Sequence, residues 1–411
     1  MKIKSVKGTR DYLPEEAALR ENIRQTISEI YRKNGFSLIM TPAVEDIENL
    51  DKSDGGDNLN LIFKILKRGD KLQKALADGS EKDLCDMGLR YDLTLPLTRY
   101  FAANRQNLPM PFKAIQMDKV YRAENPQKGR LREFMQCDID VIGDSEPECE
   151  IELIAVTAKA LSALNIGDFT VRVNDRAVLN TMLAKMGFPE SELSTVCVSF
   201  DKLDKIGAEG VCAELRDKGF DESAVSKLND ILAQLPVTLD KIESIVGTDA
   251  AARLSRIISD SKAIAAGKYG VEFDISLVRG QGYYTGTVFE VRSENFGSSV
   301  AGGGRYDKLI GKFLGEDIPA CGFSIGFERI FSILIDMNRK TSAKDKIAIL
   351  YDDNFMEVFE KAEQLREEYD VSVFKKPKKL KGFLDRLQNS GFIGFCYSDG
   401  NIKTFEKQRT V

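Results

Sequence analysis

The segment YRAENPQKGRLREFMQCDID, residues 121–140, indicates the fold more clearly than any other part of the chain. Two apolar runs flank a polar loop that contains proline and glycine, a pattern typical of an antiparallel hairpin with a charged tip. The second arm alternates in residue type, as the two faces of a strand do. One face carries Arg132, Phe134, Gln136, Asp138 and Asp140, and the other carries Met135, Cys137, Ile139 and Val141. The apolar face predicts contact with a core, whereas the polar face either lines a pocket or meets solvent.

Composition limits the class of protein. The chain has 411 residues, of which 43% are hydrophobic and 30% are charged, which is enough for two or three globular domains. No apolar run is long enough to cross a bilayer, and the first residues lack the apolar core of a signal peptide. The seven cysteines are scattered and form no Cys-x-x-Cys pair. This pattern favours reduced thiols in the cytoplasm and argues against a structural zinc site.

Charge and the absence of histidine narrow the function further. A net charge of −5 does not indicate general affinity for nucleic acid, so RNA contacts would have to come from local basic patches. The chain contains no histidine, which excludes histidine general bases, Ser-His triads and histidine metal ligands. The densest basic run either begins a solvated helix or contacts the phosphates of an RNA. Its members are Lys375, Lys376, Lys378, Lys379 and Lys381.

Helices and strands can be predicted along the first two-thirds of the chain. Residues 14–35 have apolar positions at helical spacing between Pro14 and Gly35, and a strand is expected at 36–40. The Gly/Asp-rich residues 51–58 indicate a mobile loop. A helix at 147–164, a strand at 169–173 and a mostly helical region at 177–268 follow.

The last part of the chain changes its pattern. Residues 338–345 are short, polar and charged, as expected of a linker. Beyond them a strand at 346–350, a helix near 356–369, a strand at 371–374, another helix and a strand at 392–396 alternate. This order predicts a small α/β domain.

Several of these segments resemble motifs of the histidyl-tRNA synthetases, a family of class II aminoacyl-tRNA synthetases. Residues 121–140 are similar to motif 2. Five further blocks occur in family order, namely KGTRDYLP at 7–14, LRYDLT at 89–94, LVRGQGYYTGTVFE at 277–290, GGGRYD at 302–307 and GFSIGFER at 322–329. The last of these resembles motif 3, and the helix and strand at 14–40 resemble motif 1, which implies a homodimer.

The resemblance implies an α+β fold. A class II catalytic core with an antiparallel sheet would occupy residues 1–337, with a helical insertion at about 177–268. After the linker at 338–345, residues 346–411 would form a small C-terminal α/β domain of the anticodon-binding kind. The family usually continues into a further strand and a closing helix, so this domain is expected to be shortened.

The resemblance also implies a reaction. L-Histidine would be activated by ATP with Mg²⁺ to histidyl-adenylate and then transferred to tRNA(His). Such chemistry needs positioning and fixed positive charge, which arginine supplies. The implied catalytic residues are Arg122, Arg279 and Arg329. The implied histidine-binding residues are Asp92, Leu93, Thr94, Arg122, Gln136, Asp140, Arg279, Tyr283 and Tyr284. The implied ATP-binding residues are Arg122, Glu124, Arg130 and Arg329, and no protein side chain is assigned to a metal.

Two departures from the family pattern affect the implied site. Gln281 and Gly282 replace a commoner Leu-Asp pair beside Arg279, and Asn125 stands where the family usually has arginine. The alternative to a synthetase is a non-catalytic, histidine-sensing relative, like the regulatory subunit of ATP phosphoribosyltransferase. A second alternative is an enzyme that activates histidine for an acceptor other than tRNA. The arginines that would bind ATP are present, which favours the synthetase.

Overall fold

The computed structural model divides the chain into two compact units. One comprises Met1–Asp11 and Arg20–Asn338, and the other comprises Tyr12–Leu19 and Arg339–Val411. The structure describes residues 3–52, 60–79, 81–126, 130–278, 284–339 and 344–405. Most of the loop expected at 51–58, together with Arg279, Gln281, Gly282 and Tyr283, lies outside these ranges. None of the helices in the described ranges is long and apolar enough to cross a membrane.

Up to residue 338, strands and helices are interspersed. The strands are β1 (Ser37–Leu38), β2 (Val44–Asp46), β3 (Lys64–Leu66), β4 (Cys85–Leu89), β5 (Phe112–Tyr121), β6 (Glu133–Ile142), β7 (Phe169–Asp175), β8 (Gly270–Phe273), β9 (Thr287–Ser293), β10 (Ser299–Arg305) and β11 (Ala320–Gly326). The helices are α1 (Pro14–Lys33), α2 (Ile47–Leu50), α3 (Asp70–Ala77), α4 (Thr94–Asn104), α5 (Pro147–Leu164), α6 (Arg176–Met186), α7 (Leu193–Phe200), α8 (Leu203–Asp217), α9 (Glu222–Leu232), α10 (Leu239–Val246), α11 (Thr248–Ala265), α12 (Gly311–Leu314) and α13 (Phe327–Asp336). The strand expected at 36–40 is therefore only two residues long.

An eight-stranded sheet forms the centre of the first unit, in the order β1-β5-β6-β11-β10-β9-β7-β8. All neighbours are antiparallel except the pairs β1/β5 and β7/β8. The predicted hairpin is confirmed, since β5 and β6 pair from Phe112 opposite Ile142 to Tyr121 opposite Glu133. The largely antiparallel sheet with its interspersed helices is the α+β architecture that the sequence predicted.

Both faces of β6 are buried, for different reasons. Cys137 and Ile139 are fully buried in the core on the apolar face. On the polar face Asp138 and Asp140 are only 4% and 3% exposed. The alternative that this face meets solvent is therefore wrong, because it lies under the cavity described below.

The neighbouring strands β10 and β11 approach closely because glycine occupies their contact. A Cβ atom added to Gly303 would lie 2.0 Å from the carbonyl oxygen of Gly322 on β11. No side chain fits in that space. The glycine run at 302–304 therefore serves strand pairing as well as the wall of a cavity.

The helical region expected at 177–268 lies between β7 and β8. Its first helix, α6, is capped by Asp175, whose carboxylate accepts hydrogen bonds from the N–H groups of Ala177 and Val178. The chain returns to the sheet at β8, directly after α11. Because β7 and β8 are paired in parallel, the insertion begins and ends beside the same edge of the sheet.

The second unit has its own sheet and core. Its elements are β12 (Lys346–Tyr351), α14 (Phe355–Leu365), β13 (Asp370–Lys375), α15 (Leu380–Asn389), β14 (Phe392–Cys396) and β15 (Lys403–Thr404). The sheet order is β13-β12-β14-β15. Ile349 of β12 packs against Val358 of α14, whereas Ala348 and Leu350 pack on the opposite face with Leu387 of α15. The predicted alternation is present, and the short strand β15 that follows it pairs antiparallel with β14.

A buried ion cluster joins the sheet to two helices. Glu150 of α5 is fully buried and Arg305 of β10 is 5% exposed. The Nε and Nη2 atoms of Arg305 donate to the two carboxylate oxygens of Glu150 at 2.8 and 2.7 Å, and Arg253 of α11 donates to the same group at 2.9 Å. Burial alone would lower the pKa of Arg305, but its hydrogen bonds to Glu150 raise it. The guanidinium of Arg305 therefore remains charged in the core.

Replacing Glu150 with glutamine should destabilise the protein strongly. The substitution removes the bidentate counter-charge of the buried Arg305, and breaking a buried ion pair in this way costs about 3–5 kcal/mol. The matched control is Glu152→Gln on the same helix, since Glu152 and its partner Lys113 are 33% and 31% exposed. Loss of that pair should cost about 0–1 kcal/mol. Urea unfolding of both variants measures the difference, and equal losses would contradict the assignment.

Candidate active site

Two adjoining cavities lie against the strands β6, β10 and β11. The first has a volume of about 250 Å³, and the second about 520 Å³. Their walls share the following residues, Arg122, Gln136, Tyr284, Gly302 and Ser324. The smaller cavity has room for a molecule the size of one amino acid, and the larger one is open enough for a bigger ligand.

The first cavity is lined by acids. Asp92, Asp138 and Asp140 contribute to its wall, and Arg122 is the only cation among its described lining residues. Burial raises the pKa of Asp92 and, further, that of Asp138. Burial also raises the pKa of Asp140 to about 7, against the opposing effect of a hydrogen bond from Tyr306. A ligand that brings N–H donors and positive charge would match this wall.

Asp140 is held in place from two sides. The hydroxyl of Tyr306 donates to Asp140 Oδ1 at 2.6 Å. Gly322 lies opposite Asp140 on β11, and a Cβ atom there would lie 2.0 Å from the same oxygen. The carboxyl group therefore has one bound oxygen and a fixed direction.

The turn before α4 supplies the opposite wall. Asp92 Oδ1 accepts a hydrogen bond from the N–H of Leu95 at 3.1 Å, and Thr94 begins the helix beside it. Leu93 differs from the prediction, because its side chain is fully buried in the core and is not part of either wall. Its carbonyl oxygen instead accepts a hydrogen bond from Gln116 at 2.7 Å. Leu93 thus anchors the turn without presenting its side chain to a ligand.

Arg122 lies where the two cavities meet. Its Nε atom donates to the carbonyl oxygen of Tyr91 at 3.0 Å, and its guanidinium lies 5.1 Å from the centre of the Phe134 ring. These contacts fix the plane of the guanidinium through one edge. Its two terminal nitrogens form no hydrogen bond within the described residues, so they remain available to an anion at the junction.

The second cavity is basic. Arg329 lies in the first turn of α13 and donates to the carbonyl oxygen of Ser299. Arg130 lies 3.6 Å from a carboxylate oxygen of Glu124. With Arg122 the described part of the wall holds three arginines against the two carboxylates of Glu124 and Glu328, a surplus of positive charge that suits phosphate groups.

One ion pair in this wall was not predicted from the sequence. Glu328 receives two hydrogen bonds from Arg20 of α1, at 2.5 and 2.8 Å, and a third from the N–H of Met135 at 3.2 Å. Glu328 thereby joins α1, β6 and α13. Its neighbour in sequence is Arg329, so the pair fixes the helix that carries the proposed ATP-binding arginine.

The structure brings most predicted site residues together. Around the first cavity it places Asp92, Thr94, Arg122, Gln136, Asp140 and Tyr284. Around the second it places Arg122, Glu124, Arg130 and Arg329. Arg279 and Tyr283 lie outside the described residues. Two cavity residues, Asp138 and Tyr306, were not predicted from the sequence. Asp138 shares a strand face with Gln136 and Asp140, and Tyr306 lies within the GGGRYD segment at 302–307.

The five lysines of the basic run belong to the other unit. They follow one another from the end of β13 into the start of α15, and all are exposed. Lys376 pairs with Asp352 at 3.1 Å. It also lies 5.5 Å from the centre of the Tyr397 ring.

Comparisons with known proteins agree with this arrangement. Residues 8–330 match the family model described as histidyl-tRNA synthetase. The chain is 42% identical to the histidine–tRNA ligase of Leifsonia xyli subsp. xyli, over 96% of this chain and 95% of that protein. It is 36% identical to the histidine–tRNA ligase of Cytophaga hutchinsonii, over 91% and 87% of the two chains.

Solved structures with a similar fold also superpose on the chain. The crystal structure of histidyl-tRNA synthetase from Nostoc sp. PCC 7120 superposes with a TM-score of 0.78 at 27% identity, covering 96% of this chain and 91% of that one. The structure titled an ATP phosphoribosyltransferase regulatory subunit/histidyl-tRNA synthetase from Bacillus halodurans C shares the fold. Its TM-score is 0.77 at 22% identity, over 97% and 98% of the two chains.

The raised pKa of Asp140 predicts how stability depends on pH. The pKa moves from 3.8 to about 7 on folding, so between these values the folded protein holds a proton that the unfolded chain releases. The free energy of unfolding should therefore fall as pH rises, by up to about 1.4 kcal/mol per pH unit for one proton. Asp140→Asn should make this slope shallower in urea unfolding between about pH 5 and pH 7. Asp385→Asn, on an exposed part of α15, should leave it unchanged; an unaltered slope in Asp140→Asn would refute the prediction.

Proposed function

The chain belongs to the histidyl-tRNA synthetase family, and we propose that its two cavities bind histidine and ATP. The chain is a class II enzyme that joins histidine to tRNA with the use of ATP. Within that function, the roles of individual residues, the participation of Mg²⁺, the dimer and the cytoplasmic location are our proposals.

The position of Arg122 supports the residue assignment most directly. Histidine activation requires a carboxylate oxygen of the amino acid to attack the α-phosphorus of ATP, which forms histidyl-adenylate and releases pyrophosphate. The two anionic groups must therefore meet at a boundary between the sites. Arg122 lies in the wall that the acidic and basic cavities share. One guanidinium there binds both reactants and remains charged throughout.

The first cavity suits histidine. A neutral imidazole has one N–H donor and one acceptor nitrogen. In our assignment Asp140 accepts the ring N–H and Tyr284 bonds to the other nitrogen, while Asp92, Thr94 and Gln136 bind the α-ammonium group. Buried polar partners of this kind reject ligands that lack the matching groups. The resemblance adds Tyr283 to the wall.

The second cavity suits ATP. Arg329, Arg130 and Arg122 would bind its phosphates, with Arg329 also reaching the adenine. The resemblance places Arg279 on the far side of the α-phosphate. When bound with the nucleotide, Mg²⁺ neutralises charge on the phosphate oxygens. The carboxylate of Glu124 fits its preference for oxygen ligands, whereas that of Glu328 is already bound by Arg20.

Exposed apolar side chains support a homodimer. Leu38, Met40, Val44 and Met87 lie on or beside β1, β2 and β4, and Met40 is 81% exposed. Large apolar residues concentrated in one region of a surface are typical of protein interfaces. All seven cysteines are free thiols, which supports a reducing, cytoplasmic environment. The proposed domains are 1–337 with the insertion at about 177–268, the linker 338–345 and the C-terminal domain 346–411.

Histidine-dependent exchange between ATP and pyrophosphate tests the proposed site. Arg122→Lys should lower kcat/KM by about 100-fold or more, because lysine cannot reproduce the planar, bidentate contact. Arg216→Lys is the matched control, since Arg216 pairs with Glu222 on the surface of the insertion. Arg279→Ala should also abolish exchange if the resemblance holds for that residue.

Two results would contradict the assignment. Equal activity of Arg122→Lys and Arg216→Lys would remove Arg122 from the reaction. A folded wild-type protein that binds histidine but catalyses no exchange would instead favour the histidine-sensing regulatory role.

The lysine run is proposed to contact the tRNA. Replacement of all five lysines with alanine should raise KM for tRNA(His) and reduce its dependence on salt, because fewer phosphates are neutralised. ATP–pyrophosphate exchange should not change. Lys376→Ala alone should have the smallest effect, since Lys376 already pairs with Asp352. Unchanged charging kinetics of the fivefold variant at physiological salt would rule out the contact.

A further inference from the structure

Among the described carboxyl groups that line the first cavity, Asp138 alone has no role in the proposed reaction. It lies between Gln136 and Asp140 on the same face of β6 and is 4% exposed. In the neighbouring strands Gln116 and Ser324 lie directly opposite it. Side chains opposite one another in an antiparallel sheet share a face, so these two residues flank Asp138 on either side.

These neighbours leave Asp138 without a positively charged partner. The amide of Gln116 is already used, because it donates to the carbonyl oxygen of Leu93 at 2.7 Å and accepts from Thr41 at 3.1 Å. Ser324 donates a hydrogen bond to Asp138. Within the described residues no lysine or arginine forms an ion pair with it. Burial, and then the nearby Asp140, raise its pKa well above the usual range.

The amide of Gln136 is oriented by the same two residues. Its Nε2 atom donates to Ser324 Oγ at 3.2 Å and lies 3.4 Å from Asp138 Oδ2. With its nitrogen held there, its Oε1 atom is buried and has no hydrogen-bond partner among the described residues. A buried acceptor of this kind is costly unless a ligand satisfies it. Gln136 lines both cavities, so its amide group borders the space in which a ligand would bind.

A buried acceptor that lacks a hydrogen-bond donor, next to a carboxyl group that has no ion-pair partner among the described residues, matches a cationic N–H donor. Given the proposed assignment of this cavity to histidine, on which the inference rests, that donor is the α-ammonium group. We propose that Asp138 is a positioning residue for α-ammonium recognition, which holds the amide nitrogen of Gln136 and so leaves the Oε1 atom to accept a hydrogen bond from the ligand. The other end of the ligand, the imidazole ring, is recognised by Asp140 and does not depend on Asp138.

Two ligands that each lack one group of histidine test this role. Histidinol keeps the ammonium group and the ring but lacks the carboxylate, whereas 3-(imidazol-4-yl)propionate keeps the ring and the carboxylate but lacks the ammonium group. Their inhibition constants are measured in ATP–pyrophosphate exchange with wild-type protein and with Asp138→Asn. Asparagine has nearly the same size and retains an oxygen, so the fold is expected to survive.

The two inhibitors should respond differently. Asp138→Asn should raise the KM for histidine and the inhibition constant of histidinol about tenfold, with kcat changed less than about twofold. The inhibition constant of the propionate should change less than about twofold. Asp140→Asn, in contrast, should weaken both inhibitors. Equal weakening of both inhibitors by Asp138→Asn would indicate a general structural effect and overturn the proposal.

A double-mutant cycle provides a second test that uses histidine alone. If Asp138 acts through Gln136, then in a Gln136→Met background Asp138→Asn should raise KM no more than about threefold. If Asp138→Asn raised KM by the same factor in the wild-type and Gln136→Met backgrounds, this mechanism would be contradicted. Failure of the proposed function can be distinguished from failure of this inference. In the first case wild-type protein would show no histidine-dependent exchange at all.

Discussion

The pairing register of β6 with its two neighbours is the constraint on which the proposed histidine cavity depends. It turns Gln136, Asp138 and Asp140 toward the cavity and Cys137, Ile139 and Val141 toward the core. A shift by one residue would exchange these faces, burying carboxyl groups in the core. Gly322 reinforces the register, because only a residue without a side chain fits opposite Asp140. The sheet and the cavity are therefore specified by the same contacts.

This arrangement places three carboxyl groups in one small space, which opposes stability. Burial makes the charged form of each costly, and their mutual repulsion increases the cost. Among the described residues of this wall, Arg122 is the one arginine that offsets them. A ligand with an ammonium group and a ring N–H supplies hydrogen-bond donors to these carboxyl groups. Binding of such a ligand therefore offsets part of the free-energy cost of burying them. Arg122 complements the opposite end of such a ligand, its carboxylate, at the border with the basic cavity.

The local parts of this structure were predictable from the sequence, and the contacts between distant segments were not. The helix α5 begins at Pro147 and ends at Leu164 as expected, because proline at its start and apolar spacing are local signals. The burial of the polar face of β6 depends on β11, which lies much later in the chain. Arg20 and Glu328 meet across 308 positions, and nothing in either segment indicates the other. The short strand β15 forms only because β14 offers it a free edge.

The buried cluster around Glu150 connects the helical insertion to the same cavity. Arg253 of α11 and Arg305 of β10 share the carboxylate of Glu150. Arg305 then contacts Asp307 Oδ1 at 3.2 Å, and Asp307 Oδ2 accepts from Thr285 Oγ1 at 3.2 Å.

The residues next to this chain of contacts face the ligand. Tyr284 precedes Thr285, and Tyr306, which holds Asp140, lies between Arg305 and Asp307. A buried ion pair contributes little net stability compared with an apolar replacement, but it enforces one geometry once it is formed. The cluster therefore matters because it fixes Tyr284 and Tyr306, which both line the first cavity. Arg253 also binds the carboxylate of Glu150, so the position of the helical insertion depends on the same cluster.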